Sequence, residues 1–408
     1  MPTVRLLCAA LLILVAAGWA AAAPPAYTPP VISVPPAAKA PVVDGQVEPA
    51  EWAKAAVLSD FVTVGATGLP TRRTVVYMQY DANNFYLGAL CFDPQPGKLK
   101  LDAKQRDGGV TADDSLEVFI DTVGQRKDVA HLAINAANVQ LDSWNEDAAQ
   151  DFKWTSATRV GADGWSAEIA LPFARGIGPA VGDTWLINVA RNAPGAGERS
   201  CWVPVQRAYG ELDRLGTLIF SGPPFRVETR SLGDLWAGQN LAQFAVQSLR
   251  PGTALEAKLN ARVEGSRPVN NLFATAKVKA GADASPFGLS YRVPGEGFST
   301  VTFSLTDAKG NTAWRSAPYP LTVPPLSASL SALEKSLSQS ASAWSRLPAP
   351  QKAALEPNLA ETLTAWRALT QRAIGVKPGL SRGDYDNLLQ QVQMLTQAAA
   401  ALQAEVGA

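Results

Sequence analysis

The alternation of side chains over residues 115–121 constrains the fold of this 408-residue chain more than any other feature. Apolar residues alternate there with two carboxylates and an aromatic ring, in the order Leu116, Glu117, Val118, Phe119, Ile120 and Asp121. Successive side chains of a β-strand point to opposite faces, so the pattern predicts a strand with one face for a hydrophobic core. Its other face is either the charged edge of an ordinary amphipathic strand or the floor of a site for a polar ligand.

The acidic strand lies within an ordered series of short motifs that ends near residue 221. The series comprises Val43-Asp44-Gly45, Glu51-Trp52, 75–77, 80–88, 131–135, 164–173, 182–191, 202–204 and 215–220. In this order the motifs resemble the family 9 carbohydrate-binding modules, their wider family 9-like relatives and the related DOMON sandwiches. Many short motifs in one order are more specific than any single motif. The resemblance implies a β-sandwich over residues 42–221 that binds carbohydrate.

The resemblance also implies individual sugar-binding residues. The sugar-contacting glutamate of the family falls on Glu117, and one of its two stacking tryptophans falls near Tyr209, which keeps an aromatic ring. The second tryptophan falls on Thr111, and an arginine that binds hydroxyl groups falls on Ala133. The sequence therefore keeps part of the contact set of the family and departs from the rest.

Further sugar-binding candidates come from the sequence itself. Trp144 lies in the polar run 141–147, and it is either a platform for a ligand or a lid on the core. Arg191 can donate paired hydrogen bonds to hydroxyl groups, and Asn135 ends an alternating, strand-like run. The carbohydrate-binding residues that we predict are therefore Glu117, Tyr209, Trp144, Arg191 and Asn135.

Two acidic segments offer oxygen ligands for a metal ion. Asp113 and Asp114 form an acidic turn, and Asp142 precedes the acidic loop 145–147. Carboxylate oxygens suit calcium rather than zinc, and the resemblance implies structural calcium. Acidic loops are also commonly just solvated, and the sequence has no EF-hand spacing. Calcium is thus a candidate cofactor, with Asp113, Asp114 and Asp142 as its candidate ligands.

The sequence favours a binding protein over an enzyme. His131 is the only histidine, and in its alternating run a structural histidine is the simpler interpretation. The sequence contains no nucleophile elbow, P-loop or zinc-peptidase motif. Glu117 and Asp121 lie roughly 13 Å apart along one strand, farther than the two carboxyl groups of a glycosidase. We therefore expect no catalytic residues.

Two other functions remain open at this point. Sandwiches related to the family 9 modules can hold haem b between methionine and histidine or lysine, and Met78 with His131 is the axial pair that this sequence offers. The other alternative is a structural or adhesive surface protein whose module has lost its ligand, which Thr111 and Ala133 favour. Our main hypothesis is an exported, non-catalytic protein that recognises a poly- or oligosaccharide.

The N-terminus predicts export. Arg5 precedes an apolar run over 6–17 and alanines over 20–23, the arrangement of a secretory signal peptide covering residues 1–23. Residues 24–41 are rich in Pro and Ala and predict an extended leader. The apolar run is too short for a convincing membrane span. We therefore expect a secreted, periplasmic or cell-surface protein without stable membrane insertion.

Two cysteines remain after the signal peptide. Cys91 and Cys201 each lie in an apolar, strand-like run. Export would expose them to an oxidising compartment, in which they either form a disulfide or stay apart as buried thiols. The prediction is two free thiols.

The charge balance restricts the partners. The chain has 36 basic and 36 acidic residues and no basic block. Nucleic acids are therefore not expected as partners, because they bind through clustered lysine and arginine. The 11 tryptophans suit stacking on sugar rings as well as packing in sandwich cores. The predicted partner is a glycan.

The rest of the chain divides into a β part and a helical part. Residues 225–323 alternate between turn signals, which predicts a small immunoglobulin-like β-sandwich. Leucines recur every three or four residues over 326–408, which predicts a C-terminal segment of three helices. The leucine seams form either the inside of a bundle or a docking surface for a protein partner. The predicted fold class is thus mainly β, with two sandwiches and a helical C-terminus.

Overall fold

The computed structural model describes residues 27–65, 68–147, 149, 151–176, 178–250, 254–265, 272–323, 326–374 and 382–407. The predicted signal peptide over 1–23 and residues 24–26 of the predicted leader lie outside the described residues. Residues 375–381, between the last two helices, also lie outside them.

Strands dominate the described part of the chain. The first group is β1 (Val31–Val34), β2 (Ala56–Leu58), β3 (Val62–Thr63), β4 (Thr74–Tyr80), β5 (Asn84–Phe92), β6 (Ser115–Asp121), β7 (Ala130–Asn135), β8 (Gln140–Trp144), β9 (Thr155–Gly161), β10 (Gly164–Pro172), β11 (Thr184–Ala193), β12 (Glu198–Cys201) and β13 (Gly216–Phe220). The second group is β14 (Phe225–Ser231), β15 (Gly238–Ser248), β16 (Leu255–Gly265), β17 (Leu272–Ala280), β18 (Ser285–Val293), β19 (Gly297–Asp307), β20 (Thr312–Arg315) and β21 (Tyr319–Val323). Three helices follow, α1 (Leu326–Trp344), α2 (Ala349–Ile374) and α3 (Arg382–Gly407). The predicted fold class is confirmed.

Two sheets pack against each other in the first half of the chain. One has the strand order β2-β4-β5-β10-β9, and the other contains the path β1-β13-β11-β6-β7-β8. Inward side chains of both sheets, among them Met78, Leu87, Val118 and Val189, form one buried core. The alternating motifs that predicted a sandwich therefore fold as one.

A second pair of sheets follows in the chain. The three-stranded sheet β14-β15-β18 packs on the strands β17-β16-β19-β20, and β21 pairs with β19. The rings of Phe244, Tyr291 and Phe303 meet edge to face in its core, with ring centroids 5.2–5.3 Å apart. Aromatic pairs favour this geometry.

Strand β1 joins the two halves into one continuous sheet. It pairs in parallel with β13 of the first half, and Val31 is opposite Arg315 of β20 in the second half. Ile32 and Val34 are buried in the first core. Residues 31–34 fall in the segment that the Pro- and Ala-rich composition predicted to be a leader. Their alternating apolar side chains make them a structural strand of the first sandwich instead.

The helices pack on the second sandwich as well as on each other. Leu333 and Leu337 of α1 and Leu388 and Val392 of α3 belong to the same core as the strands of the second half. Within the described residues, no helix is long and apolar enough to cross a membrane. The leucine seams are thus mostly occupied by contacts within the chain.

The two cysteines lie on strands of different sheets. Cys91 on β5 and Cys201 on β12 are both buried and free. Burial raises the pKa of Cys91 to about 11 and that of Cys201 to about 12. Both thiols are therefore protonated and unreactive at neutral pH.

Trp52 closes the outer face of the five-stranded sheet. Its indole lies directly over Gly88 of β5, and its Nε1 donates to Glu168 Oε1 at 3.1 Å. The other carboxylate oxygen of Glu168 accepts hydrogen bonds from the amides of Asp44 and Gly45, each at 3.0 Å. The early motifs of the chain are thus fastened to β10 by one buried glutamate.

Asp60 lies buried between the two halves of the chain. It is 4% exposed, and its Oδ2 and the Tyr319 hydroxyl both lack a well-aligned hydrogen bond within the described residues. Burial raises the pKa of Asp60 to about 6, and the Tyr319 hydroxyl and nearby backbone amides offset only part of this effect. Among the residues that the structure describes, no cation pairs with this carboxylate.

We predict that Gly88→Ala destabilises the protein. The added β-carbon would lie 2.7 Å from Trp52 Cε2, so the indole must move and its packing is lost. The free energy of unfolding should fall by about 1–3 kcal/mol, measured by urea denaturation. Gly97→Ala is the matched control, because a β-carbon there meets no atom within 4 Å. Equal stability of the two variants would contradict the packing role of Gly88.

We also predict that Asp60 makes stability depend on pH. Its pKa in the folded protein lies above the ordinary value of 3.8, so the folded state favours the protonated form. The stability that this proton contributes is present at low pH and is lost as pH rises through about 6.

Asp60→Asn keeps the side chain neutral and should remove this dependence. Relative to the unmodified protein, the variant should gain on the order of 2 kcal/mol in unfolding free energy between pH 4.5 and pH 7.5. Denaturant titrations at both pH values measure the difference. The exposed Asp283→Asn serves as control, and an equal gain in both variants would refute the prediction.

Candidate functional site

The pairing of β6 with its two neighbours determines which side chains reach the outer face of the first sandwich. Residues that pair directly on adjacent strands share a face. Glu117 is opposite Ala190 on β11 and Ala133 on β7, and Phe119 is opposite Asn188 and His131. Leu116, Val118 and Ile120 point into the core. The predicted strand and its two faces are therefore present.

Glu117 is held in one orientation on that outer face. Its Oε2 lies 2.7 Å from His131 Nε2, and its Oε1 accepts a hydrogen bond from Asn192 Nδ2 at 2.5 Å. The His131 ring stacks on Phe119 with centroids 4.2 Å apart and planes 7° apart. The side chain of Glu117 is 6% exposed and that of His131 18%. The outer face thus presents an oriented carboxylate beside a partly exposed ring.

Tyr209 reaches the same place from the loop after β12. Its hydroxyl lies 2.9 Å from Arg191 O and 3.0 Å from Asn192 Oδ1. Its ring lies 6.3 Å from the Phe119 ring, and the guanidinium carbon of Arg199 lies 4.7 Å from the Tyr209 centroid. Burial raises the pKa of Tyr209, so the hydroxyl stays protonated. At 4% exposed, this ring is a support for its neighbours rather than an open platform.

Arg199 and Asn192 join this group through strand pairing. Arg199 on β12 is opposite Asn192 on β11, and Asn192 is in turn opposite Ser115 on β6. Arg199 is exposed, whereas Asn192 is buried. We call the group the Glu117 site, and it consists of Glu117, Phe119, His131, Asn192, Arg199 and Tyr209.

Sequence reasoning identified Glu117 and Tyr209, which the structure brings together, but it missed Asn192 and Arg199. Asn192 is four residues from Asn188 on β11, so the alternation of this strand places both side chains on the face of Glu117. No sequence signal identifies Arg199, because its place depends on the pairing of β12. His131 was interpreted as a structural histidine, and its contact with Glu117 is a finding of the structure.

Arg191, expected to bind sugar, lies between the two sheets. It is 1% exposed, and its Nη1 donates to Arg73 O and Phe92 O, each at 3.0 Å. Its Nη2 lies 4.0 Å from Asp93 Oδ2. It therefore connects the sheets from inside and does not reach the outer surface. Arg191 is two residues from Val189 on β11, so the alternation of this strand points both side chains inward, and this pattern is visible in the sequence.

Asn135 is buried under the segment that precedes β6. Its Nδ2 donates to Asp113 Oδ2 at 2.9 Å, and its Oδ1 accepts from the amide of Val139 at 2.8 Å. Asn135 thus holds a turn and a loop in place. Ala133, where the family carries an arginine, packs with Ala103 and Val110 in a small apolar cluster. The segment before β6, which contributes Ala103 and Val110, therefore covers the position that an arginine side chain at residue 133 would occupy.

Trp144 is separated from the Glu117 site by the sheet itself. It pairs with Ala130, which is opposite Ile120, so its side chain lies on the core side of the sheet. Its ring meets Phe152 edge to face at 6.4 Å and is half-buried. Of the two interpretations offered by the sequence, this position fits a lid at the edge of the core and not a platform beside Glu117.

The aspartates proposed as calcium ligands have separate partners. Asp113 accepts hydrogen bonds from the amides of Asp102 and Ala103 in addition to Asn135, and Asp114 accepts one from the Lys100 amide at 2.7 Å. Burial alone would raise the pKa of Asp113, but these hydrogen bonds outweigh it and lower the pKa. Burial raises the pKa of Asp114.

Asp142 lies in a different network. It forms an ion pair with Arg106 and accepts hydrogen bonds from the Phe152 amide and from Trp154 Nε1. Among the described residues, no group of three or more His, Cys, Asp or Glu side chains is arranged to hold a metal ion. The three aspartates therefore do not assemble into the expected site, and calcium binding stays a prediction.

The two residues expected to hold haem are also apart. Met78 is fully buried in the core of the first sandwich on β4, and β4 belongs to the five-stranded sheet. His131 lies on the outer face of the other sheet and contacts Glu117. A haem iron needs both ligands on one axis, and this arrangement does not provide it.

A recess of about 260 Å³ lies at the end of β5, away from the Glu117 site. Its lining consists of Thr71, Arg72, Arg73, Phe92, Asp93, Pro94, Ala162 and Asp163. Arg72 Nε pairs with Asp93 Oδ2 at 3.0 Å, and Arg73 Nη2 pairs with Glu228 Oε1 at 3.1 Å. Arg72, Asp93 and Arg73 of the recess therefore all have charged partners within the protein.

Comparison with known proteins gives similarity at the level of solved structures only. No family model and no curated protein matches the sequence. A family 9 carbohydrate-binding module from Caldicellulosiruptor kristjanssonii in complex with cellotriose aligns over 47% of this chain and 94% of that chain, with 18% identity and a TM-score of 0.37. A structure of a family 9 module from that organism with glucose aligns over 47% and 96%, with 17% identity and a TM-score of 0.37.

A third similar structure is a candidate carbohydrate-binding protein from Bacteroides uniformis. It aligns over 48% of this chain and 100% of that chain, with 13% identity and a TM-score of 0.40. Similarity at this level assigns neither a family nor a function to this chain. Its function must be inferred from the geometry of the Glu117 site.

Proposed function

We propose that this chain is an exported, non-catalytic carbohydrate-binding protein and that its first sandwich binds a poly- or oligosaccharide at the Glu117 site. The observation that carries the proposal is the fixed carboxylate of Glu117. His131 and Asn192 orient it on the outer face of the sheet, next to the stacked rings of His131 and Phe119.

Sugar recognition needs this combination of groups. A carboxylate oxygen accepts more than one hydrogen bond, so each Glu117 oxygen retains capacity for a sugar hydroxyl. The partly exposed His131 ring offers a flat surface for the apolar face of a pyranose. Because the protein orients both groups before the ligand arrives, binding loses little side-chain entropy.

The surroundings of Glu117 support binding rather than hydrolysis. A glycosidase needs two carboxyl groups about 5–10 Å apart. The Asp121 side chain accepts hydrogen bonds from the amides of Val123, Gly124 and Arg126, which ties it to the turn after β6. Asp113 and Asp114 are tied to the segment before β6. None of these three aspartates is therefore free to act as a second carboxyl group beside Glu117.

The remaining parts of the proposal concern the setting of the module. Export rests on the N-terminal sequence, and the second sandwich and the helices would display or anchor the binding module. Calcium and a protein partner at the helices are subsidiary proposals. In the structure, α1 and α3 contribute apolar residues to the core of the second sandwich, which supports a role for the helices as part of the scaffold.

We predict that the protein is retained in affinity electrophoresis by at least one polysaccharide from a panel of plant and bacterial glycans. Glu117→Gln should weaken that retention by about tenfold, because an amide replaces a charged acceptor with a neutral one and disturbs the His131 contact. The measurement is the change in mobility as a function of polysaccharide concentration.

Glu256→Gln is the matched control, since Glu256 is exposed on β16 of the second sandwich. Circular dichroism confirms that each variant is folded. Folded protein that no glycan retains would overturn the proposal and favour a structural role. Repeating the panel with a chelator tests calcium, whose removal should weaken retention if the ion supports the binding face.

A further inference from the structure

We infer that the Glu117 site prefers acidic glycans, whose pyranose rings carry a carboxylate, and that Arg199 pairs with this carboxylate. The inference rests on the proposed function and names the ligand class of that site. It follows from the position of the Arg199 guanidinium and from the finding that no carboxylate among the described residues pairs with it.

Arg199 occupies the position where an open aromatic platform was expected. The guanidinium carbon lies 4.7 Å from the centroid of the Tyr209 ring, which is itself 4% exposed. Arg199 is exposed, so a ligand that approaches Tyr209 from solvent meets the cation first. Stacking on an aromatic ring holds a guanidinium in a defined plane and leaves its N–H edges free to donate.

The Glu117 carboxylate on the same face does not pair with the Arg199 guanidinium. Glu117 Oε1 accepts its hydrogen bond from Asn192 Nδ2, and Oε2 faces His131. Asn192 is directly opposite Arg199 on the neighbouring strand and lies between the two charges. In the part of the chain that the structure describes, no carboxylate forms an ion pair with Arg199. The Arg199 guanidinium can therefore pair with an anionic group of a ligand.

A carboxylated sugar matches these groups better than a neutral one. A planar carboxylate can accept two parallel N–H bonds from a guanidinium, which a hydroxyl cannot. The ring hydroxyls of the same sugar would meet the partly exposed His131 ring and the edge of Glu117, whose side chain is 6% exposed.

The experiment compares two polymers with the same sugar rings, one with free carboxylates and one with methyl esters. Polygalacturonate and its fully methyl-esterified form present the same rings with and without free carboxylates. Affinity electrophoresis of the full chain should show about tenfold stronger retention by the charged polymer, as expected for one charge-assisted contact. Raising the salt concentration from 50 to 500 mM should reduce the difference, because the contact is exposed.

Arg199→Gln should abolish the preference, so that polygalacturonate and its methyl ester retain the variant equally. Arg159→Gln is the matched control, because Arg159 is exposed on β9 of the other sheet and its loss changes the net charge equally. Arg199→Lys keeps the charge without the planar fork and should give an intermediate preference. Thermal unfolding of each variant verifies the fold.

The outcomes separate this inference from the function on which it rests. Equal retention by both polymers, or a preference that survives in Arg199→Gln, would overturn the inference while carbohydrate binding stands. A preference lost equally in Arg199→Gln and Arg159→Gln would indicate a general charge effect and would also overturn the inference. Retention by no glycan, charged or neutral, would remove the proposed function itself.

Discussion

The pairing of β6 between β11 and β7 is the interaction on which the rest of the first sandwich depends. It turns Leu116, Val118 and Ile120 into the core and Glu117 outward. A shift of one residue in this register would exchange the two faces and bury the carboxylate among apolar side chains. The fold and the candidate site therefore share one constraint, and each apolar contact of β6 in the core also fixes the position of Glu117.

A second constraint is the continuity of the large sheet between the two halves. Strand β1 pairs with β13 on one side and with β20 on the other, and Arg315 Nη2 donates to Pro29 O at 2.9 Å. Arg73 of the first half pairs with Glu228 of the second. Backbone pairing of this kind restricts hinge motion more than a side-chain interface does. The first sandwich is thus fastened to the second.

Many polar residues in the first sandwich serve its architecture. Arg191 spans the core, Asn135 and Asp113 hold the loop before β6, and Glu168 fastens Trp52. Each of these side chains is buried and makes at least one hydrogen bond within the protein, as buried polar side chains generally do. The Glu117 site differs because its rim, formed by His131 and Arg199, reaches solvent. Exposure of oriented polar groups distinguishes a site for a ligand from an internal network.

The sequence by itself determined the mainly β class, the alternation of β6 and the periodicity of the helices, because these depend on local side-chain spacing. It identified Glu117 and Tyr209, although not that Tyr209 is buried. Only the tertiary structure decided that Asn192 meets Glu117 and that Arg199 lies beside Asn192 and Tyr209, since these contacts follow from the pairing of β11 with β6 and with β12. It also placed Trp144 and Arg191 on the core side of the sheet and residues 31–34 inside the sandwich. Strand partners are separated in sequence by loops of variable length, so local patterns specify a face but not its neighbours.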